Sequence, residues 1–128
     1  MRIYISGKMT GCPDLNRPAF DAAGKRLSGL GHFVINPHRI SAMFGTPEEL
    51  AAAFAAAYAE PWQNVGSYEA YARRLRVARA VMDADLAAVR SCDAIYLLRG
   101  WENSRGAKKE LAEACAHGLQ VMQEGGAE

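Results

Sequence analysis

Short apolar segments alternate with helix-like segments along this chain, and that alternation limits the folds that it can adopt. Residues 2–6 (RIYIS) and 93–98 (DAIYLL) have the length and composition of buried strands, and weaker strand patterns occur at 32–36 (HFVIN) and near 119–123 (LQVMQ). Helical patterns of apolar residues lie between them. The alternation predicts an α/β fold with a doubly wound, Rossmann- or flavodoxin-like parallel sheet of four to five strands and helices on both faces.

Two of the predicted helices are marked by their start, their stop or their apolar stripe. The first covers residues 15–31, with Pro18 in its first turn and Gly31 as its stop. The longest covers residues 67–91. Its apolar side chains recur every three or four positions and predict a buried stripe made of Tyr71, Leu75, Ala78, Met82, Leu86 and Val89.

An alanine-rich segment between the second strand and the longest helix is predicted to form an inserted helix. Thr46 and Glu49 have the spacing of a capping box around Pro47, and the helix is expected to end before Pro61. We therefore expect a single domain over residues 1–128 with a helical insertion at about 45–66. A chain of 128 residues can bury a core without a disulfide or a structural metal.

Composition argues against several kinds of partner. Lys and Arg total 15 against 14 for Asp and Glu, so the formal charge of +1 gives no general attraction to a membrane or a nucleic-acid polymer. No segment has the apolar length of a membrane span or a signal peptide, and we expect a cytoplasmic protein. Cys12, Cys92 and Cys115 are widely spaced and form no CxxC motif, so we expect them to be reduced thiols. The histidines are equally scattered, and we expect a site that uses no metal and no cofactor.

The strand order 2-1-3-4, the simplest doubly wound order, opens a crevice between the carboxyl ends of strands 1 and 3. Loop 6–11 (SGKMTG) and loop 100–106 (GWENSRG) follow these strands, so we expect them to face one another across one pocket. Small residues, backbone N–H groups and cations suit a phosphate or carboxylate. The candidate anion-binding residues are Ser6, Gly7, Lys8, Ser104, Arg105 and Gly106. Two simpler interpretations stay open: the first loop is only a turn, and Asn103 or Ser104 is only a helix cap.

Two acidic residues, Glu110 and Asp85, occupy helix positions that point toward the protein interior and are candidates for catalytic residues. Glu110 lies at the margin of an inward stripe that is expected to include Cys115. Asp85 falls on the apolar side of the 67–91 helix, where a solvated aspartate is not expected. Asp85 therefore needs either a function or a structural partner, and capping a backbone N–H explains it nearly as well. Glu102, in loop 100–106, is the alternative to Glu110 as the acid of the pocket.

Three motifs together resemble the nucleoside 2-deoxyribosyltransferase superfamily: YISG at 4–7, the Asp85-Leu86 pair followed by Asp93, and SRGAKKEL at 104–111. The match is closest to a branch of small, often phage-borne domains. This resemblance implies that Glu110 is the nucleophile at C1′ of the sugar, that Asp85 assists in acid/base work, and that Tyr4 orients the nucleophile. It also implies a homodimer or larger symmetric oligomer, because relatives complete each pocket with a neighbouring subunit.

Ser104 bears on the substrate that the resemblance implies. Transferases acting on free nucleosides tend to have Asp six residues before the glutamate, whereas nucleoside 5′-monophosphate N-hydrolases have Ser. Thr10 stands where these hydrolases have an arginine, for which Lys8 is a possible substitute, and Lys108 stands near a position where they favour Gly. The expected reaction is cleavage of the N-glycosidic bond of a (deoxy)nucleoside 5′-monophosphate with release of the base. The alternatives are 2′-deoxyribosyl transfer between bases, action on another ribosyl compound such as a dinucleotide, and a catalytically silent nucleotide-binding or sensing module.

Overall fold

The computed structural model describes residues 1–58 and 67–126, and four strands in these ranges form a single sheet in which every neighbouring pair is parallel. The strand order is β2-β1-β3-β4, so the predicted fold class and strand order are confirmed. The strands match the four predicted segments and are β1 (Arg2–Ser6), β2 (Phe33–Ile35), β3 (Ala94–Leu97) and β4 (Gln120–Gln123).

Five α-helices connect the strands within the described part of the chain: α1 (Arg17–Gly29), α2 (Pro37–Ser41), α3 (Pro47–Tyr58), α4 (Tyr68–Arg90) and α5 (Arg105–Ala116). Helix α2 was not predicted from the sequence. Pro37 is the first residue of α2, and the side chain of Asn36 accepts a hydrogen bond of 3.0 Å from the N–H of His38.

The capping box of α3 is present as predicted. Thr46 Oγ1 accepts a hydrogen bond of 3.2 Å from the Glu49 N–H, and Glu49 Oε1 accepts one of 3.0 Å from the Thr46 N–H. Helix α3 packs on α4, and their shared apolar cluster includes Phe54 and Val81. The alanine-rich segment is thus part of the packed structure, and the remainder of the predicted insertion at 59–66 lies outside the described residues.

Helices cover both faces of the sheet, as expected. Ile3 and Ile5 of β1 pack on the α1 side with Phe20, whereas Tyr4 packs on the opposite side with Val89 of α4. Successive residues of a strand point to opposite faces. Tyr4 and Ser6 therefore both point toward α4 and α5, and Ser6 does so at the carboxyl end of the strand.

The predicted stripe of α4 is only partly buried. Ala78 and Val89 are buried, whereas Leu75, Met82 and Leu86 are partly exposed. These three line a groove that α4 forms with residues of α3 and with Lys109 of α5, here called the outer groove of α4. The buried residues of α4 are Ala78, Val81, Asp85 and Val89.

Cys115 of α5 is exposed and does not belong to the inward stripe, which instead contains Ala107, Glu110 and Ala114. Periodicity identified the apolar side of each helix but not the part of it that neighbouring elements cover. None of the helices in the described residues combines the length and apolarity needed to cross a membrane.

Candidate active site

A cavity of about 310 Å³ opens where the carboxyl ends of β1 and β3 meet. Residues 7–11 of the first loop and residues 103–106 of the second loop both line it, so the predicted pocket between the two loops is confirmed. The volume is at the small end of the range for sites that bind small molecules.

Glu110 is the central carboxylate of this cavity. Its side chain is only 5% exposed, and it receives one short hydrogen bond on each oxygen. Tyr4 Oη donates to Oε2 at 2.6 Å, and Ser6 Oγ donates to Oε1 at 2.6 Å. Because both donors come from β1, the strand fixes the position and orientation of the carboxylate.

Two opposing effects set the charge of Glu110. Burial raises the pKa of its carboxyl, and the hydrogen bonds from Ser6 and Tyr4 lower it by stabilising the carboxylate, so that the net pKa is about 7. Burial and the charge of Glu110 raise the pKa of Tyr4 well above its usual value. Tyr4 therefore keeps its proton and remains a hydrogen-bond donor.

Asp85 of α4 is the second acid that lines the cavity. It is 5% exposed, and its Oδ1 has no hydrogen-bond partner in the described structure. Since no described backbone N–H donates to Oδ1, this oxygen does not support the alternative that Asp85 only caps a backbone N–H. Burial and then the negative charge of Glu110 raise the pKa of Asp85 to about 9. The pair consequently favours a protonated Asp85 beside an ionised Glu110.

The second loop places Ser104 at the N-cap of α5. Its Oγ accepts a hydrogen bond of 3.0 Å from the N–H of Ala107, so Ser104 is a helix cap as well as a residue of the cavity wall. A Cβ on Gly106 would lie 3.3 Å from Met82 Cε, so a larger residue there would require the end of the Met82 side chain to shift by a few tenths of an ångström. Lys108 and the rival carboxylate Glu102 are both exposed and do not line the cavity.

The first loop packs against Leu98, which directly follows β3, and is hydrogen-bonded to Asn16, which directly precedes α1. A Cβ on Gly7 would lie 2.9 Å from two side-chain atoms of Leu98, so only glycine fits at this position. The carbonyl of Lys8 accepts a hydrogen bond of 2.9 Å from Asn16 Nδ2. Lys8 and Thr10 line the cavity from this loop, whereas the hydroxyl of Ser6 donates to Glu110.

Sequence reasoning missed the apolar half of the cavity wall. Helix α3 contributes Phe54 and Tyr58, which are four positions apart in an otherwise alanine-rich segment. That spacing was the available signal, because residues at i and i+4 share a helix face. Further apolar residues from other elements complete this half of the wall and are Met9, Phe20, Pro37, Val81 and Met82.

The fold and the cavity define a small α/β domain with a paired-carboxyl pocket at the switch point of a parallel sheet. The chain belongs to the family called domain of unknown function (DUF4406), whose model matches residues 1–65 and 41–123. No curated protein matches the chain, and no solved structure does. The residues described here contain no group of three His, Cys, Asp or Glu side chains suited to a metal ion.

Proposed function

We propose that this domain cleaves the N-glycosidic bond of a (deoxy)nucleoside 5′-monophosphate and releases the base. The observation that carries the proposal is the buried Glu110 carboxylate, held at 2.6 Å by both Tyr4 Oη and Ser6 Oγ in the cavity that Asp85 also lines. A fixed carboxylate next to a carboxyl that keeps its proton is the combination that glycoside cleavage requires.

In the first step, a Glu110 oxygen attacks C1′ as the bond from C1′ to the base nitrogen breaks. Asp85 donates its proton to the departing base, so the base leaves neutral and Asp85 becomes a carboxylate. The product is a glycosyl ester on Glu110. Tyr4 and Ser6 keep the attacking carboxylate in one orientation before the step.

In the second step, water attacks C1′ and the ester bond to Glu110 breaks. The Asp85 carboxylate takes a proton from the water, which restores both side chains to their starting states. A second base in place of water would instead complete a transfer reaction. The residues provide this chemistry from their own carboxyl groups.

The phosphate is assigned to the polar end of the cavity. Ser104, Arg105 and Gly106 form the start of α5, where backbone N–H groups and the helix dipole favour an anion. Lys8 lines the same cavity from the first loop. This arrangement supports a 5′-monophosphate as substrate in preference to a nucleoside.

We also propose that the protein acts in the cytoplasm as a homodimer or larger symmetric oligomer. The outer surface of α4 supports the assembly, because its partly exposed Leu75, Met82 and Leu86 share one groove. An isologous contact between two copies would bury these side chains.

Release of free base from a panel of purine and pyrimidine (deoxy)nucleoside 5′-monophosphates tests the proposal. We expect release without an added acceptor base. Release that requires an acceptor would replace the hydrolase with a transferase. Tight binding without release or exchange would indicate a sensing module and contradict an enzyme.

A further inference from the structure

Helix α3 presents two aromatic side chains to the cavity. Phe54 and Tyr58 are one helical turn apart, and their ring centroids are 6.3 Å apart with the ring planes inclined by 47°. Phe54 is 5% exposed and Tyr58 is partly exposed. They give the cavity a wall that suits the face of a flat, apolar group.

This aromatic wall adjoins the acid that the proposed reaction uses to protonate the base. Phe54 packs in one cluster with Val81, which is one helical turn before Asp85 on α4. The negative charges of Glu110 and Asp85, after burial, raise the pKa of the Tyr58 phenol. Tyr58, Asp85 and Glu110 all line the same cavity.

Tyr58 and Met82 each line both the cavity and the outer groove of α4. Lys109, which lines only the groove, places its Nζ 5.9 Å from the centroid of the Tyr58 ring. A cation over the ring favours an aromatic side chain at this position.

We propose that Phe54 and Tyr58 form the surface on which the base of the nucleotide stacks, which makes α3 the element that recognises the base. This inference rests on the proposed function, since it places the base next to Asp85. Stacking on aromatic side chains contacts the face that every base has, so both purines and pyrimidines should depend on it.

Calorimetry with two probes tests the inference in a Glu110→Gln background, which prevents cleavage of the ligand. The first probe is a deoxynucleoside 5′-monophosphate, in a purine and a pyrimidine form. The second is 2-deoxyribose 5-phosphate, which has the sugar and phosphate but no base. Tyr58→Leu and Phe54→Leu should weaken nucleotide binding roughly fivefold to a hundredfold, the range for loss of base stacking. Binding of 2-deoxyribose 5-phosphate should stay within about twofold, a change near 0.4 kcal/mol by the usual conversion.

Two matched variants serve as controls. Tyr68→Leu removes a tyrosine that is 81% exposed on α4, and it should change neither affinity. Tyr58→Phe keeps the ring and should retain nucleotide affinity. If circular dichroism shows that Phe54→Leu does not fold, the binding data for Tyr58→Leu decide whether the base stacks here. This variant should fold, because the Tyr58 ring is only partly buried.

The outcomes separate this inference from the proposed reaction. Equal weakening of both probes, or of neither, overturns the base-stacking role even if the wild type releases base. Selective weakening of the nucleotide supports the role even if the wild type releases no base, and then only the proposed reaction fails. A protein that binds no nucleotide contradicts both.

Discussion

As the proposed nucleophile, Glu110 has to be ionised although it is buried, and burial alone disfavours its charge. Tyr4 and Ser6 offset that effect, since a hydrogen bond to a charged group contributes about 1.5–3 kcal/mol. Neither hydroxyl would achieve this from a flexible loop. Both belong to a strand with a neighbour on each side, so the carboxylate is oriented by the most constrained part of the sheet.

Glu110→Gln should keep the fold and ligand affinity but lower base release by about a hundredfold or more, the order expected for loss of a nucleophile. The amide occupies the same volume but is a poor nucleophile. Steady-state kinetics on a nucleotide substrate measure the loss, and Glu102→Gln is the control because Glu102 is exposed outside the cavity. Near-normal turnover by Glu110→Gln would exclude Glu110 as the nucleophile.

Asp85→Asn should stabilise the protein at neutral and alkaline pH while abolishing most base release. The pKa of Asp85 rises from 3.8 to about 9 on folding, so between these values the native state binds more protons than the unfolded state. The free energy of unfolding therefore falls as pH rises, by at most about 1.4 kcal/mol per pH unit. Asparagine removes this dependence.

Urea unfolding of both proteins at pH 5 and pH 8 measures the effect. The gain from Asp85→Asn should be larger at pH 8. A variant less stable than the wild type at both pH values would mean that the Asp85 carboxyl makes a stabilising interaction in the folded protein.

The pH dependence of kcat/KM should be bell-shaped, with its maximum between the pKa of Glu110, about 7, and that of Asp85, about 9. Activity falls on the acid side as Glu110 is protonated and on the alkaline side as Asp85 loses its proton. Because Glu110 and Asp85 interact, the two apparent pKa values of the pH profile describe the pair rather than either residue alone. A rate that keeps rising above pH 10 would contradict the role of Asp85 as the acid.

The start of α5 and the first loop together should produce the proposed preference for a phosphate. The wild type should bind a 5′-monophosphate more tightly than its nucleoside by about 1–3 kcal/mol, the range for charge-assisted hydrogen bonds. Ser104→Asp should reverse this preference, because aspartate also caps a helix but repels a phosphate. Lys8→Ala should weaken only monophosphate binding.

Calorimetry on the wild type and both variants measures these affinities, with inorganic phosphate as a competitor. Equal affinity of the wild type for nucleoside and monophosphate would remove the phosphate site from the proposed function.

Most of the helices and strands were predictable from the sequence, because their starts and ends are determined by residues that are adjacent in the chain. The capping box before α3 and the bounds of β1 are properties of a few adjacent residues. Helix α2 was missed because Asn36 and Pro37 suit both the end of a strand and the start of a helix. The apolar stripe of α4 was only partly right, since burial depends on which side α3 and the sheet cover.

The candidate site was predictable only in part for the same reason. Sequence reasoning selected Glu110, Asp85 and Tyr4, and the structure brings all three to one place. The hydrogen bond from Ser6 to Glu110 joins residues 104 positions apart and depends on how α5 crosses β1. The contribution of Phe54 likewise depends on the packing of α3 against α4, which no local pattern specifies.

At the scale of the whole molecule, sedimentation velocity at micromolar concentration should detect a homodimer or larger symmetric oligomer. Leu75→Glu and Leu86→Glu place charges in the outer groove of α4 and should shift the protein toward monomer. Cys115→Ser alters an exposed residue of α5 outside that groove and should leave the assembly unchanged. A monomeric wild type would contradict the proposed assembly.

The location of Tyr4 and Ser6 on β1 has a consequence for hydrogen exchange. Strand β1 lies between β2 and β3, so its amides exchange only when the sheet opens, and such openings cost nearly the full free energy of unfolding. Helix α3 lies away from the sheet and packs on α4, so it can open at lower cost. We therefore expect amides in the half of the pocket that orients the carboxylate to exchange more slowly than amides in the aromatic half.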